Sequence, residues 1–279
     1  IPRAAISAKR IMDVLDMDIE IKDPINPVKL PEHIKGEVEF KDVCFQYPDA
    51  QEPVLSHINF KVKSGTTTAF IGSTGSGKST LINLIPRFYE RTCGTITIDG
   101  IDIKDMTQED LHGLIGYVPQ KGILFGGSIR DNILFAEHAD PNHLDEAAKI
   151  AQAHDFIIEM EEQYDHQISQ GGTNVSGGQR QRLSIARAIA KKPPIFIFDD
   201  SFSALDYKTD HKLRQMLNEH VTATKLIVAQ RINTIRHADQ IIVLDSGTIV
   251  GIGTHEELMK TSKVYQEIAS SQLSKEELL

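Results

Sequence analysis

The sequence predicts an α/β fold built around a parallel sheet, on three observations. Ala69-Phe70-Ile71 is a short apolar run, a glycine-rich loop follows it, and Leu81-Ile82-Asn83-Leu84-Ile85 continues in helical style. Ile195-Phe196-Ile197-Phe198 is apolar without interruption and ends on Asp199-Asp200, as a strand buried on both faces does. Leu226-Ile227-Val228-Ala229-Gln230 repeats that layout, an apolar strand with a polar residue at its carboxyl end.

The loop between the first strand and helix carries the strongest signal. Gly72-Ser73-Thr74-Gly75-Ser76-Gly77-Lys78-Ser79-Thr80 fills every fixed position of the phosphate-binding pattern, and its strand–loop–helix context is the one that pattern requires. Glycines let backbone N–H groups turn tightly around an anion. Lys78 reaches the outer phosphates as a point charge, and Ser79 offers a hydroxyl to Mg²⁺.

Composition narrows the class. The chain has 279 residues, 25% of them charged, and a net charge of −9. It has no long basic run, so nucleic acid is not an expected partner. No stretch is apolar for the 18 residues that a membrane span needs. Cys44 and Cys93 lack metal-type spacing and read as two buried free thiols in a reducing setting. The first residue is isoleucine, and no export signal follows, which suggests an excised piece of a longer protein.

In chain order, Pro2 to Asp16 suits a helix with Ile6, Ile11, Val14 and Leu15 on one face. It is either a packed helix or the tail of one that continued upstream. Ile21 to His33 holds Pro24, Pro27 and Pro31 and reads as a linker. Gly36 to Phe45 alternates apolar and polar residues, as a half-exposed antiparallel strand does. Val54-Leu55, Ile58 to Val62 and Gly94 to Gly100 suggest further short strands, and Ile115 to Gln120 another, ended by Pro119. The segment 129–189 is mostly helical in pattern, broken at Gly126-Gly127 and Gly171-Gly172. Gln240 to Leu244 and Gly247 to Val250 form a terminal hairpin, and Ser270 to Leu279 reads as a frayed polar tail.

Ligands of open α/β sheets sit outside the carboxyl ends of the strands. Gly72, Gln120, Asp199, Asp200 and Gln230 all stand there, and they make one site if their strands are neighbours. Asp199 is the candidate acid supporting Mg²⁺ beside Ser79. Asp200 is the candidate that orients and deprotonates an attacking water, and Gln120 can ligate Mg²⁺ or hold that water. Ser176-Gly177-Gly178-Gln179 opens another helix with an anion-ready start.

Together these stretches resemble the nucleotide-binding domain of the ATP-binding cassette (ABC) family, from about Gly36 to Ala269. The phosphate loop resembles its Walker A motif, and Ile195 to Asp199 its Walker B. Val175 to Gln179 is similar to its signature motif, and Ser203-Ala204-Leu205-Asp206 to its D-loop. Gln120 matches its Q-loop glutamine, and Tyr47 its adenine-stacking tyrosine. Leu124 to Ile133 looks like the exporter branch. The resemblance implies a P-loop NTPase, RecA-like core with an antiparallel β subdomain and an α-helical subdomain inserted at about 121–190. It implies the end of a membrane-domain helix at 1–20, a proline-rich linker at 21–35, and the nucleotide-binding domain at 36–279. It also implies ATP and Mg²⁺ bound in a head-to-tail dimer, on the cytoplasmic face of the cell membrane. The partners are membrane-spanning segments of the same full-length chain and a second half-transporter.

Three positions depart from the family. Its usual glutamate is Asp200, its usual histidine is Gln230, and a glutamate before the signature is Gln170. Aspartate withdraws the carboxylate by one methylene, ~1.5 Å. Glutamine donates a hydrogen bond but carries no proton near neutral pH. The groups that bind nucleotide are intact. The expected picture is a site that holds ATP and hydrolyses it slowly, paired with a competent site in a heterodimer. A fully active homodimer and a nucleotide-sensing module without turnover are the alternatives.

Overall fold

The computed structural model describes residues 2–17, 20–48, 50–135 and 139–272. Helix α1 (Pro2–Leu15) comes first. Strands β1 (Val38–Phe45), β2 (Leu55–Val62) and β3 (Thr67–Gly72) precede α2 (Lys78–Asn83). β4 (Cys93–Ile98), β5 (Ile101–Asp102), α3 (Gln108–Gly113) and β6 (Ile115–Val118) follow. Between β6 and the next long strand lie β7 (Gly127–Ser128), α4 (Ile129–Ile133), α5 (Leu144–Ile150), α6 (His154–Ile158), β8 (Gln167–Ile168) and α7 (Gly177–Ala190). Then come β9 (Ile195–Asp199), α8 (Tyr207–His220), β10 (Thr224–Val228) and α9 (Ile232–Ile235). β11 (Gln240–Asp245), β12 (Thr248–Gly253), α10 (His255–Thr261) and α11 (Lys263–Gln272) complete the described fold.

Two sheets carry the architecture. A six-stranded sheet runs β12-β11-β3-β10-β9-β6, parallel except for the β11–β12 hairpin. A four-stranded antiparallel sheet runs β2-β1-β4-β5. Successive side chains on a strand face opposite sides, so each central strand feeds two cores. Ala69, Ile71, Phe196, Phe198 and Ile227 join the core shared with α5, α7 and α8. Phe70, Ile195, Ile197, Leu226 and Val228 join the core shared with the antiparallel sheet. Phe70 meets Phe60 of β2 edge to face, at 5.5 Å between centroids, which couples the two sheets.

Several expectations need correction. Cys44 and Cys93 are not free thiols. They are partners in the β1–β4 register, with Cα atoms 4.9 Å apart, and are disulfide-bonded. Val54-Leu55 and Ile58 to Val62 do not make separate strands. β2 is continuous from Leu55, and the register irregularities opposite Val43 absorb its interruption. The helical stretch after Ile129 also contains the short strand β8, paired with β7. Ile6, Ile11, Val14 and Leu15 are all more than half exposed, so α1 is not a packed helix. The proline-rich segment has no helix or strand, yet it is tied down: Val28 N–H donates to the Asp105 carbonyl at 2.8 Å. Ser270 to Gln272 are the last turn of α11 rather than a frayed tail; the remainder, 273–279, lies outside the described residues.

Phe70→Ala removes a ring with no exposed surface from between the sheets. Chemical unfolding is expected to show a loss of about 3–5 kcal/mol.

Candidate functional site

Strands β3, β10, β9 and β6 are neighbours, so their carboxyl ends form one rim. Gly72, Gln230, the pair Asp199 and Asp200, and Gln120 therefore meet, as the sequence required. The loop between β3 and α2 is built for close backbone approach. A Cβ on Gly72 would collide with the Leu244 carbonyl oxygen. Gly77, at φ +95°, would bring one within 2.8 Å of Leu55 Cδ2. The Lys78 ammonium folds along this loop and donates to the carbonyls of Gly72 at 3.0 Å and Ser73 at 2.7 Å. Burial lowers its pKa, while Asp200 and Asp199 hold it up.

The end of β9 is the chemical centre. Asp199 and Asp200 are 8% and 7% exposed. Ser79 Oγ donates to Asp199 Oδ1 at 2.9 Å. Gln120 Nε2 and Gln230 Nε2 both donate to Asp200 Oδ2, at 3.1 and 2.8 Å. Asp200 sits in the left-handed region, at φ +47°, where its N–H donates to Val228 and its carbonyl accepts from Ser203 Oγ at 2.8 Å. Burial raises both carboxyl pKa values; the charge of Asp199 adds to this at Asp200, and the Ser79 and Gln120 hydrogen bonds oppose it.

A cavity of about 530 Å³ opens between these groups, lined by Gly72–Gly75, Gly77–Thr80, Gln120, Asp200 and Gln230. Tyr47 does not line it; its hydroxyl lies 3.1 Å from Oγ1 of the lining residue Thr80, and its ring is edge-on to Tyr89. Ser76 is buried inside the loop and takes a hydrogen bond from Lys78 at 3.3 Å. The donor set of Ser79 Oγ, the Asp199 carboxylate and the Gln120 amide oxygen suits a hard divalent cation such as Mg²⁺.

Other candidate residues lie elsewhere. Ser176 caps α7 in a reciprocal arrangement with Gln179, followed by Gly177 and Gly178, and none of the four lines the cavity. Asp206 caps α8 by accepting from Thr209 N–H at 3.0 Å. Gln170 is exposed in a turn before α7. Conversely, Ile268, Ser271 and Gln272 of α11 form a wall that the sequence reading missed. Its signal was the apolar spacing Val264, Tyr265, Ile268, Ala269, which continues one helical face to Gln272. Tyr117 was also missed: its hydroxyl donates to Asn83 Oδ1 at 2.9 Å and lies 3.5 Å from Asp199 Oδ2.

Residues 55–203 match the family model described as ABC transporter. An uncharacterized ABC transporter ATP-binding protein of Mycobacterium tuberculosis H37Rv is 43% identical over 277 residues, 98% of this chain. The chain belongs to the ABC transporter family. It is a nucleotide-binding domain of the exporter type. A putative multidrug export ATP-binding/permease protein of Staphylococcus aureus NCTC 8325 is 43% identical over 266 residues, 94% of this chain and 46% of its own. A solved structure of a bacterial Atm1-family ABC exporter with ATP bound superimposes with a TM-score of 0.90 at 34% identity, covering 98% of this ABC domain and 48% of that chain. The chain thus spans about half the length of the relatives it matches.

The raised pKa of Asp200 fixes a sign. Between the unfolded and folded pKa values of Asp200 the folded domain holds more protons than the unfolded chain, so stability falls as pH rises through the folded pKa. Asp200→Asn is therefore expected to raise the melting temperature of the nucleotide-free domain at neutral pH, by about 2–4 °C. The gain should shrink in acid, as Asp200 in the parent takes up its proton; thermal melts across pH check both points.

Proposed function

We propose that this chain binds ATP·Mg²⁺ and supplies the energy-coupling step of an exporter, and that its own site hydrolyses slowly. The amides of the phosphate loop and Lys78 hold the triphosphate, and Tyr47 stacks on the base. Ser79, Asp199 and Gln120 would hold Mg²⁺, which when bound neutralises charge on the β- and γ-phosphate oxygens. Asp200 is the group placed to orient water and take its proton. Gln230 donates a hydrogen bond on the γ-phosphate side.

One observation carries the slow-site reading. Both glutamine amides converge on a single oxygen of Asp200, the shorter acid at this position. Aspartate sets its carboxylate back by one methylene from where a glutamate would carry it, ~1.5 Å, and a misplacement of about 1 Å costs up to about a hundredfold in rate. Neither amide relays a proton. The nucleotide-binding groups are unaffected.

The rest of the reading follows from what this chain presents. Ser176 to Gln179 and Asp206, which do not line this cavity, are offered to the cavity of a second half-transporter in a head-to-tail heterodimer. A groove of about 400 Å³ runs past Pro119 and is walled by Phe88, Ile123, Phe125 and Phe135. All four of these residues are exposed, which suits docking of membrane-spanning segments belonging to the full-length chain. In this reading the domain sits on the cytoplasmic face of the membrane. No described helix is long and apolar enough to cross it. The net charge of −9 argues against nucleic acid.

The test is repair. Asp200→Glu combined with Gln230→His in the full-length transporter is expected to raise ATP turnover at this site by roughly tenfold or more. No gain, alongside brisk turnover by the unmodified homodimer, would end the slow-site reading. Bound ATP without turnover, even beside a competent partner, would favour a nucleotide sensor.

A further inference from the structure

Helix α11 ends against the loop that carries Gln230. The Gln272 carboxamide makes two hydrogen bonds there. Its Nε2 donates to the Gln230 carbonyl at 2.8 Å, and its Oε1 accepts from Ile232 N–H at 2.9 Å. A carbonyl only accepts and an N–H only donates, so the partners fix which way this amide points.

The loop has only Ala229, Gln230 and Arg231 between β10 and α9. Ala229 N–H donates to the Phe70 carbonyl at 3.2 Å, which anchors the near end to β3. Arg231, the residue before α9, makes no side-chain cap, so the Ile232 N–H at the helix start depends on Gln272. The clamp therefore grips the backbone on both sides of Arg231. The side chain of Gln230 then points at Asp200 Oδ2. Gln272 itself is held by a helix whose Tyr265 and Ala269 have no exposed surface.

We infer that Gln272 is a positioning residue for ATP hydrolysis, setting where the Gln230 side chain lies relative to Asp200 and the γ-phosphate. It acts on the backbone of residue 230 and touches no reacting atom. The inference rests on the proposed γ-phosphate-side role of Gln230.

The test is a double-mutant cycle in the full-length transporter, with any partner's own site silenced at its phosphate-loop lysine. Gln272→Met keeps the bulk of the side chain and removes both hydrogen bonds. Single-turnover hydrolysis at this site is expected to slow by about three- to tenfold, with half-saturation by ATP unchanged within about twofold. The Ile232 amide should exchange its hydrogen faster. On a Gln230→Ala background the same change should cost nothing more, because the two residues act through one path. An unchanged rate beside a slowed Gln230→Ala variant overturns the inference and leaves the role of Gln230 standing. Gln230→Ala at the parent rate removes that role and this inference together. Equal losses in both backgrounds, or losses that follow the melting temperature across Gln272→Met, Gln272→Ala and Gln272→Asn, mean that α11 only stabilises the fold.

Discussion

Two adjacent carboxylates at the end of β9, shut away from solvent, are the constraint around which the site is arranged. Each takes its donors from different neighbours: Ser79 from the phosphate loop for Asp199, and Gln120 and Gln230 from the loops after β6 and β10 for Asp200. Only a parallel arrangement delivers this. Parallel strands end on the same rim, so polar residues distant in sequence arrive within hydrogen-bond reach. The order β3-β10-β9-β6 puts the acids between their donors. The double core beneath holds that order, since a slipped register would turn Phe196 and Ile197 to the wrong faces.

Burying two like charges side by side is unfavourable, and the fold offsets it only in part. Lys78 opposes their charge, but its ammonium is committed to the loop carbonyls. Serine and glutamine supply hydrogen bonds without charge. The raised carboxyl pKa values are the residue of that imbalance. In the proposed reading a divalent cation would offset the charge of Asp199, and a triphosphate would give Lys78 a partner outside its own loop. The energy withheld from folding would then be recovered on binding.

Much of this was legible in the residues. Glycine spacing before Lys78 announced the loop, and unbroken apolar runs ending in acids announced the buried strands. The alignment of Gly72, Gln120, Asp199, Asp200 and Gln230 needed only that the strands be neighbours, and they are. What escaped was set by long-range packing. Cysteine spacing gives no register, so the Cys44–Cys93 bond depends on β1 meeting β4 antiparallel. The exposure of Ile6, Ile11, Val14 and Leu15 is invisible to periodicity, which marks an apolar face but not what covers it. Gln272 looked like part of a polar tail because its partners are backbone groups about forty residues away, and backbone groups leave no mark in sequence.

The hydrogen bonds also form a connected line. Gln272 holds the backbone of Gln230, Gln230 and Gln120 share one oxygen of Asp200, and Gln120 adjoins the apolar groove at Pro119. Every link beyond Asp200 is a neutral amide. Such a line transmits position well, because each amide has a donor and an acceptor fixed by its neighbour. It transmits protons poorly, because the amides do not titrate near neutral pH. Such wiring fits the proposed reading of a site that holds nucleotide more readily than it cleaves it. That contrast between intact binding groups and glutamines that carry no proton is the physical basis of the proposed separation of binding from turnover.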